Sequence, residues 1–198
     1  SSIHPKQLLS IVTTPIFRAV TTERILSTPE TFGSFKVYIR LKDKMLPHDP
    51  VTHYLPQYQL LVLTPPACEN PQYAQTIECI MPLDYSLLDS WKSNRHADYK
   101  SYETFKKCKA QDVIQIINAI YPNINDCIAD YFTSTSLSFR DIYHSPQGAM
   151  YGLSSPIGGV TTKVENLFLT GQNCFMHGFY GTLCTAIETV NAIENKYE

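Results

Sequence analysis

The stretch NLFLTGQNCFMHGFYGTLCTAIETVNA, residues 166–192, decides the reading of the fold. Leu167, Phe168 and Leu169 form a short apolar run suited to a buried strand, and Gly171 ends it. From Tyr180 onward apolar residues recur at helical spacing through Leu183, Ile187 and Val190. The pattern predicts strand, glycine turn and helix. Gly171, Gly178 and Gly181 let backbone N–H groups approach a ligand without interference from a Cβ, and the positive end of the helix points back at the same turn. Such a turn suits a phosphate or a flavin ring. A strand-to-helix turn also needs glycine for steric reasons alone, so the pattern leaves both readings open.

Immediately upstream runs SLSFRDIYHSPQGAMYGLSSPIGG, residues 136–159, rich in Ser, Gly and Pro. Its composition predicts a long loop. Met150 and Tyr151, between Gly148 and Gly152, make it unusually apolar for a solvated one, so a ligand or another domain is expected to cover it. Arg140, Asp141 and His144 form a polar group nearby that reads first as a surface ion pair.

Further out, residues 35–41 alternate Phe35, Val37, Ile39 and Leu41 with Lys36, Tyr38 and Arg40, the signature of a half-buried strand. Residues 58–63, 76–81 and 128–133 predict three more strands. The links among the first three are too short for parallel crossovers, so the sheet is expected to be antiparallel. Residues 97–121 predict one long helix stopped by Pro122, and residues 82–91 a short one. Residues 3–26 predict two short helices, opened by Pro5 and Pro15, with His4 as a capping or packing residue. The lysines at 106, 107 and 109 read as a solvated face.

Composition excludes several classes. A net charge of −2 with 17% charged residues gives no basic field for nucleic acid or anionic lipid. The longest apolar runs, residues 60–63 and 113–120, are far shorter than a membrane span, and no signal-peptide pattern opens the chain. The six cysteines at 68, 79, 108, 127, 174 and 184 show neither Cys-x-x-Cys pairs nor histidines at zinc-ligand spacing, so no metal site is expected. Their low density and apolar settings predict free thiols in a reducing, cytoplasmic compartment. There is no Gly-x-Ser-x-Gly, His-Glu-x-x-His, Walker or Gly-x-Gly-x-x-Gly motif.

The segments SSIHPKQ (1–7), GSFKVYIRLK (33–42), SPQGAMYGL (145–153) and NLFLTGQNCFMHGFYGTLCTAIETVNAI (166–193) resemble, in order and spacing, the carboxy-terminal part of phytoene desaturase-like FAD-dependent oxidoreductases, the group of carotenoid isomerases and retinol saturases. The resemblance is strongest over residues 146–192 and weakest over 65–109. It implies an α+β chain in two parts. Residues 1–143 would be a substrate-domain portion with a small, mostly antiparallel sheet and packed helices. Residues 144–198 would be a strand, turn and helix completing a Rossmann-type FAD-binding domain whose amino-terminal part lies outside this chain.

The resemblance further places Gly171 and Gln172 near the ribityl and phosphate portion of FAD, Gly178, Phe179, Tyr180 and Gly181 at the isoalloxazine, and Gly148, Met150 and Tyr151 on the substrate side. Any of Asn173, Cys174, Met176 and His177 is a candidate to face substrate, and no catalytic residue is assigned. The implied function is desaturation, saturation or isomerisation of a hydrophobic polyene or isoprenoid through the flavin. The fragment alone is expected to be inactive and to hold FAD weakly or not at all, and its location to be cytoplasmic with peripheral membrane contact allowed. Two alternatives are a stand-alone lipid- or protein-binding module and a fragment of a flavin amine oxidase. Phe35, Val37, Ile39 and Leu41 are expected to serve core packing ahead of a tunnel wall.

Overall fold

The computed structural model describes residues 1–93 and 98–197, and these divide into two compact units, residues 33–143 and residues 1–32 with 144–198. Ala97, the expected start of the long helix, lies outside the described residues.

The unit of residues 33–143 is built on the alternating stretch. Strand β1 (Gly33–Leu41) pairs antiparallel on both sides, with β4 (Thr76–Leu83) and β5 (Ile128–Ser134). β3 (Leu60–Leu63) extends the sheet beyond β4, and β2 (His53–Leu55) closes its edge, giving the order β2-β3-β4-β1-β5. The fold class is therefore α+β around a five-stranded antiparallel sheet. Because side chains alternate across a strand, Phe35, Val37 and Ile39 all fall on one face, and each is fully buried. Ile77 and Cys79 of β4 lie on the same face. Helix α3 (Tyr99–Ile117) joins them in one apolar cluster through Tyr102, Ala110, Val113, Ile114 and Ile117. Burying each such Phe, Ile or Val side chain contributes about 1.5–3 kcal/mol. These β1 residues are core.

Several sequence expectations shift here. Pro82 does not open a helix: it lies within β4 opposite Ser34, and a 3-10 turn follows at Tyr85–Trp91. α3 stops at Ile117, five residues before Pro122, because the chain tightens into 3-10 type bonds such as Ile120 N–H to the Ile117 carbonyl. Residues 136–143, expected as loop, form helix α5 (Ser136–Tyr143), anchored by the fully buried Leu137. A one-turn helix, α4 (Ile124–Cys127), leads into β5.

The other unit joins the two ends of the chain. α1 (Pro5–Ile11) starts on His4, whose Nδ1 accepts from the Lys6 N–H at 3.3 Å, as a capping residue does. α2 (Ala19–Ser27) begins four residues after Pro15, and the intervening Ile16 and Phe17 are buried. Leu8, Ile16, Phe17 and Ile25 form a core with Leu153, Val160, Leu169 and Cys174. Glu30, with its side chain 1% exposed, meets His4 Nε2 and Lys6 Nζ, each at 3.0 Å.

The expected strand at Leu167, Phe168 and Leu169 is reduced to one bridge, Thr161 to Phe168. Its neighbours supply only isolated bonds, Leu169 N–H to the Val160 carbonyl on one side, and on the other the Ser1 amino group to the Phe168 carbonyl and Thr170 N–H to the Ser1 carbonyl. No ladder forms without a longer partner. The expected helix is present as α6 (Gly178–Tyr197). It does not pack through its apolar stripe, however. Leu183, Ile187 and Val190 are 52%, 54% and 52% exposed, whereas Gly181 and Thr185 are buried and the Thr189 hydroxyl donates to the Leu169 carbonyl at 2.8 Å.

Candidate functional site

Within this second unit, the loop of residues 148–153 is threaded between the end of α2 and the turn of residues 171–178. Gly148 and Gly152 have φ of 63° and 75°, values a side chain resists, and they set the two bends of the loop. On one side Met150 N–H donates to the Phe32 carbonyl (3.0 Å), Tyr151 N–H to the Thr31 hydroxyl (3.1 Å), and Thr31 N–H to the Gly152 carbonyl (2.7 Å). On the other side Leu153 N–H donates to Asn173 Oδ1 at 2.8 Å. The Gln172 amide donates to the Met150 carbonyl at 3.3 Å, and His177 Nε2 to the Leu153 carbonyl at 2.8 Å. The structure thus brings Met150 together with Gln172, and Tyr151 together with His177, while Gly148 N–H donates to the Ser145 carbonyl.

Aromatic rings add a second layer. Tyr151 stacks on the His177 imidazole, centroids 5.8 Å apart and planes 20° apart, and Phe32 meets Tyr151 edge-on at 5.9 Å. Phe32 carried no sequence signal, since it precedes β1 outside the alternating register.

The turn itself separates the glycines. Gly171 (φ 97°) starts a tight turn in which Cys174 N–H donates to its carbonyl at 3.3 Å. Gly178 (φ 79°) opens α6, and a Cβ added there would meet nothing within 4 Å. Gly181 has a local reason to be glycine: a Cβ there would come within 2.2 Å of the Met176 carbonyl oxygen. Phe179 and Tyr180 project outward, 89% and 68% exposed. The first N–H groups of α6 have no intrahelical acceptor, as at any helix start, and among the described residues no hydrogen bond takes up those of Phe179 and Tyr180. The start of this 20-residue helix thus combines open space above Gly178 with free backbone donors at its positive end and two exposed rings.

Of the four open substrate-facing candidates, Cys174 is excluded. It is 2% exposed among Leu8, Leu169 and their neighbours, and burial pushes its thiol up to about 11. Asn173 is occupied in holding the loop, while Met176 is half exposed. Tyr180 has its phenol raised by a hydrogen bond with the Cys184 thiol one helical turn on. Arg140 and Asp141 form an ion pair at 2.7 Å at the end of α5, where Arg140 also donates to the Lys92 carbonyl at 2.5 Å. Among the described residues no cluster of three or more His, Cys, Asp or Glu is placed to hold a metal, and no helix is long and apolar enough to cross a membrane.

No family model matches the chain. It is similar to the all-trans-retinol 13,14-reductase of Danio rerio, with 27% identity over 135 residues, which take in 61% of this chain and 22% of that protein. It is also similar to the all-trans-retinol 13,14-reductase of Homo sapiens, with 23% identity over 168 residues, 75% of this chain and 27% of that protein. The chain spans about a quarter of the length of the curated relatives it matches.

Proposed function

We propose that this chain is part of a FAD-dependent oxidoreductase that acts on a hydrophobic polyene or isoprenoid. The observation that carries the reading is the convergence of residues 148–153 with the turn of residues 171–178 beside the open start of α6, in a chain similar to retinol reductases. Gly171, Gln172, Gly178, Phe179, Tyr180 and Gly181 are the cofactor-side residues of this proposal, and Gly148, Met150 and Tyr151 the substrate-side ones. Residues 144–198 are its cofactor-side segment and residues 1–143 its substrate-domain portion, with residues 1–32 packed into the same compact unit as the former. A Rossmann-type domain supplied by the rest of the protein would hold the adenosine and pyrophosphate.

When bound, FAD supplies hydride transfer, which the protein's own groups cannot perform. The backbone donors at the start of α6 would face the charge that reduced flavin carries, and the apolar loop would align the polyene and exclude water. A substrate of this kind partitions into bilayers, so peripheral membrane contact from the cytoplasmic side belongs to the same reading.

The test compares the protein expressed from its complete reading frame with this chain alone. The complete protein is expected to purify with flavin absorption in the visible range and to change the polyene absorption of a retinoid or carotenoid, and this chain alone to hold no stoichiometric flavin. A flavin-free complete protein sinks the proposal. Binding of lipid vesicles without redox activity would favour a binding module, for which the exposed stripe on α6 is the supporting feature.

A further inference from the structure

We propose that His177 is the proton donor for double-bond reduction and that Tyr151 positions it. The inference rests on the functional reading above and deepens it.

Saturating a carbon–carbon double bond adds two hydrogens of different kinds. One arrives with its electron pair, as hydride from a donor of the reduced-flavin class. The other is a proton on the neighbouring carbon, and a polyene hydrocarbon has no acidic group to supply it. A protein acid beside the substrate therefore sets the second half of the reaction.

Few groups of the site qualify. The Cys174 thiol is buried in the apolar core, and the Tyr180 side chain projects outward, 68% exposed. His177 immediately precedes α6 and adjoins the substrate-side loop. Its Nε2 lies 2.8 Å from the Leu153 carbonyl oxygen, which can only accept, so Nε2 carries a hydrogen. The ring face is fixed by stacking on Tyr151, which Phe32 buttresses edge-on. One nitrogen remains, Nδ1, and among the described residues it has no hydrogen-bond partner and the ring no ion pair with a carboxylate. The Tyr151 phenol is the titratable group stacked against it.

The step balances as follows. One alkene carbon forms a C–H bond with the hydride. The π electron pair forms the second C–H bond with the proton leaving Nδ1, and the electrons of the broken N–H bond remain there as a lone pair. The flavin-class donor ends oxidised by two electrons, the alkene reduced by two, and the imidazole takes its proton back from water.

The test uses the complete flavoprotein, with this chain as a spectroscopic check. His177→Gln is expected to keep the visible flavin spectrum while polyene reduction falls about 10²-fold or more. The pH profile of the wild-type activity should carry a limb that vanishes in the variant. In this chain alone, histidine nitrogen shifts in NMR should show His177 with hydrogen on Nε2. Should His177→Gln lose its flavin, Tyr151→Leu carries the test: it keeps the imidazole but loses the platform, and a lowered rate with flavin retained is expected. A complete protein that holds no flavin or changes no polyene removes the functional reading and this inference with it, and one that desaturates or isomerises a polyene but reduces none overturns this inference alone. A wild type that works, beside a His177→Gln protein with unchanged rate and pH profile, overturns the inference alone, as does hydrogen on Nδ1 in place of Nε2.

Discussion

The side-chain oxygen of Asn173 occupies the space in which Gly152 would carry a Cβ, 2.3 Å from the position that atom would take. The same oxygen accepts from Leu153 N–H at 2.8 Å. Contact and hydrogen bond together lock the loop of residues 148–153 to the turn of residues 171–178.

Gly152→Ala should therefore destabilise the protein by about 2–4 kcal/mol, combining the cost of a side chain at φ 75° with the clash. Relief requires Asn173 to give up the Leu153 N–H. Asn173→Ala alone should cost about 1–3 kcal/mol through that orphaned donor. The double variant should cost less than the sum, since the clash is gone once the amide is removed. Thermal or urea unfolding of the four proteins checks this, and strict additivity would contradict the lock.

The glycines of the turn should separate by substitution. Gly181→Ala drives a Cβ to 2.2 Å from a backbone oxygen that cannot rotate away, so it should lower stability strongly and damage flavin retention only as a result. Gly178→Ala meets open space and should cost only about 1–2 kcal/mol, the penalty of positive φ. If the space above Gly178 receives the isoalloxazine, flavin affinity in the complete protein should fall far more than stability does. Unfolding measured beside flavin titration distinguishes the two positions.

These contrasts show which parts of the molecule were legible in the sequence. The β1 alternation was readable because β4, β5 and α3 all act on the same period-two face. β2 was missed because a three-residue edge strand, held by β3 alone, leaves no pattern. The α6 helix was legible from its apolar spacing, whereas the exposure of that stripe was not, because periodicity reports which side is apolar and not what covers it. The two halves of the site were each marked by glycines, yet the bonds joining them span about 20 residues of chain and rest on an asparagine and a histidine whose types suit many roles.

Glu30 gives the unit of residues 1–32 and 144–198 an acid limit. Burial alone would push its carboxyl up, but hydrogen bonds from His4 and Lys6 outweigh this and hold it below the usual carboxylate range. A carboxylate with a depressed folded pKa contributes stability above its unfolded pKa, about 4.3 for glutamate, and loses it as pH falls through the folded value. Unfolding free energy should thus drop on acidification below about pH 4.3. Glu30→Gln should be less stable at neutral pH by about 1–3 kcal/mol and should show a shallower acid dependence. Parallel slopes for wild type and variant would remove Glu30 from the acid response.

The exposed stripe on α6 makes the last prediction. Leu183, Ile187 and Val190 are each about half exposed while the helix packs through Gly181 and Thr185, so polar residues on the stripe replace little buried area. Leu183→Lys, Ile187→Glu and Val190→Lys should each change the stability of this chain by no more than about 0.5 kcal/mol, since glutamate and lysine are also good helix formers. Thr185→Lys, which buries an uncompensated charge, should cost roughly 3 kcal/mol or more. A contiguous exposed apolar face also binds hydrophobic dyes and favours self-association. The isolated chain should therefore bind such a dye, and the triple stripe variant should lose that binding while unfolding at nearly the same temperature. Strong destabilisation by the stripe substitutions, with Thr185→Lys tolerated, would mean that α6 packs through the opposite face.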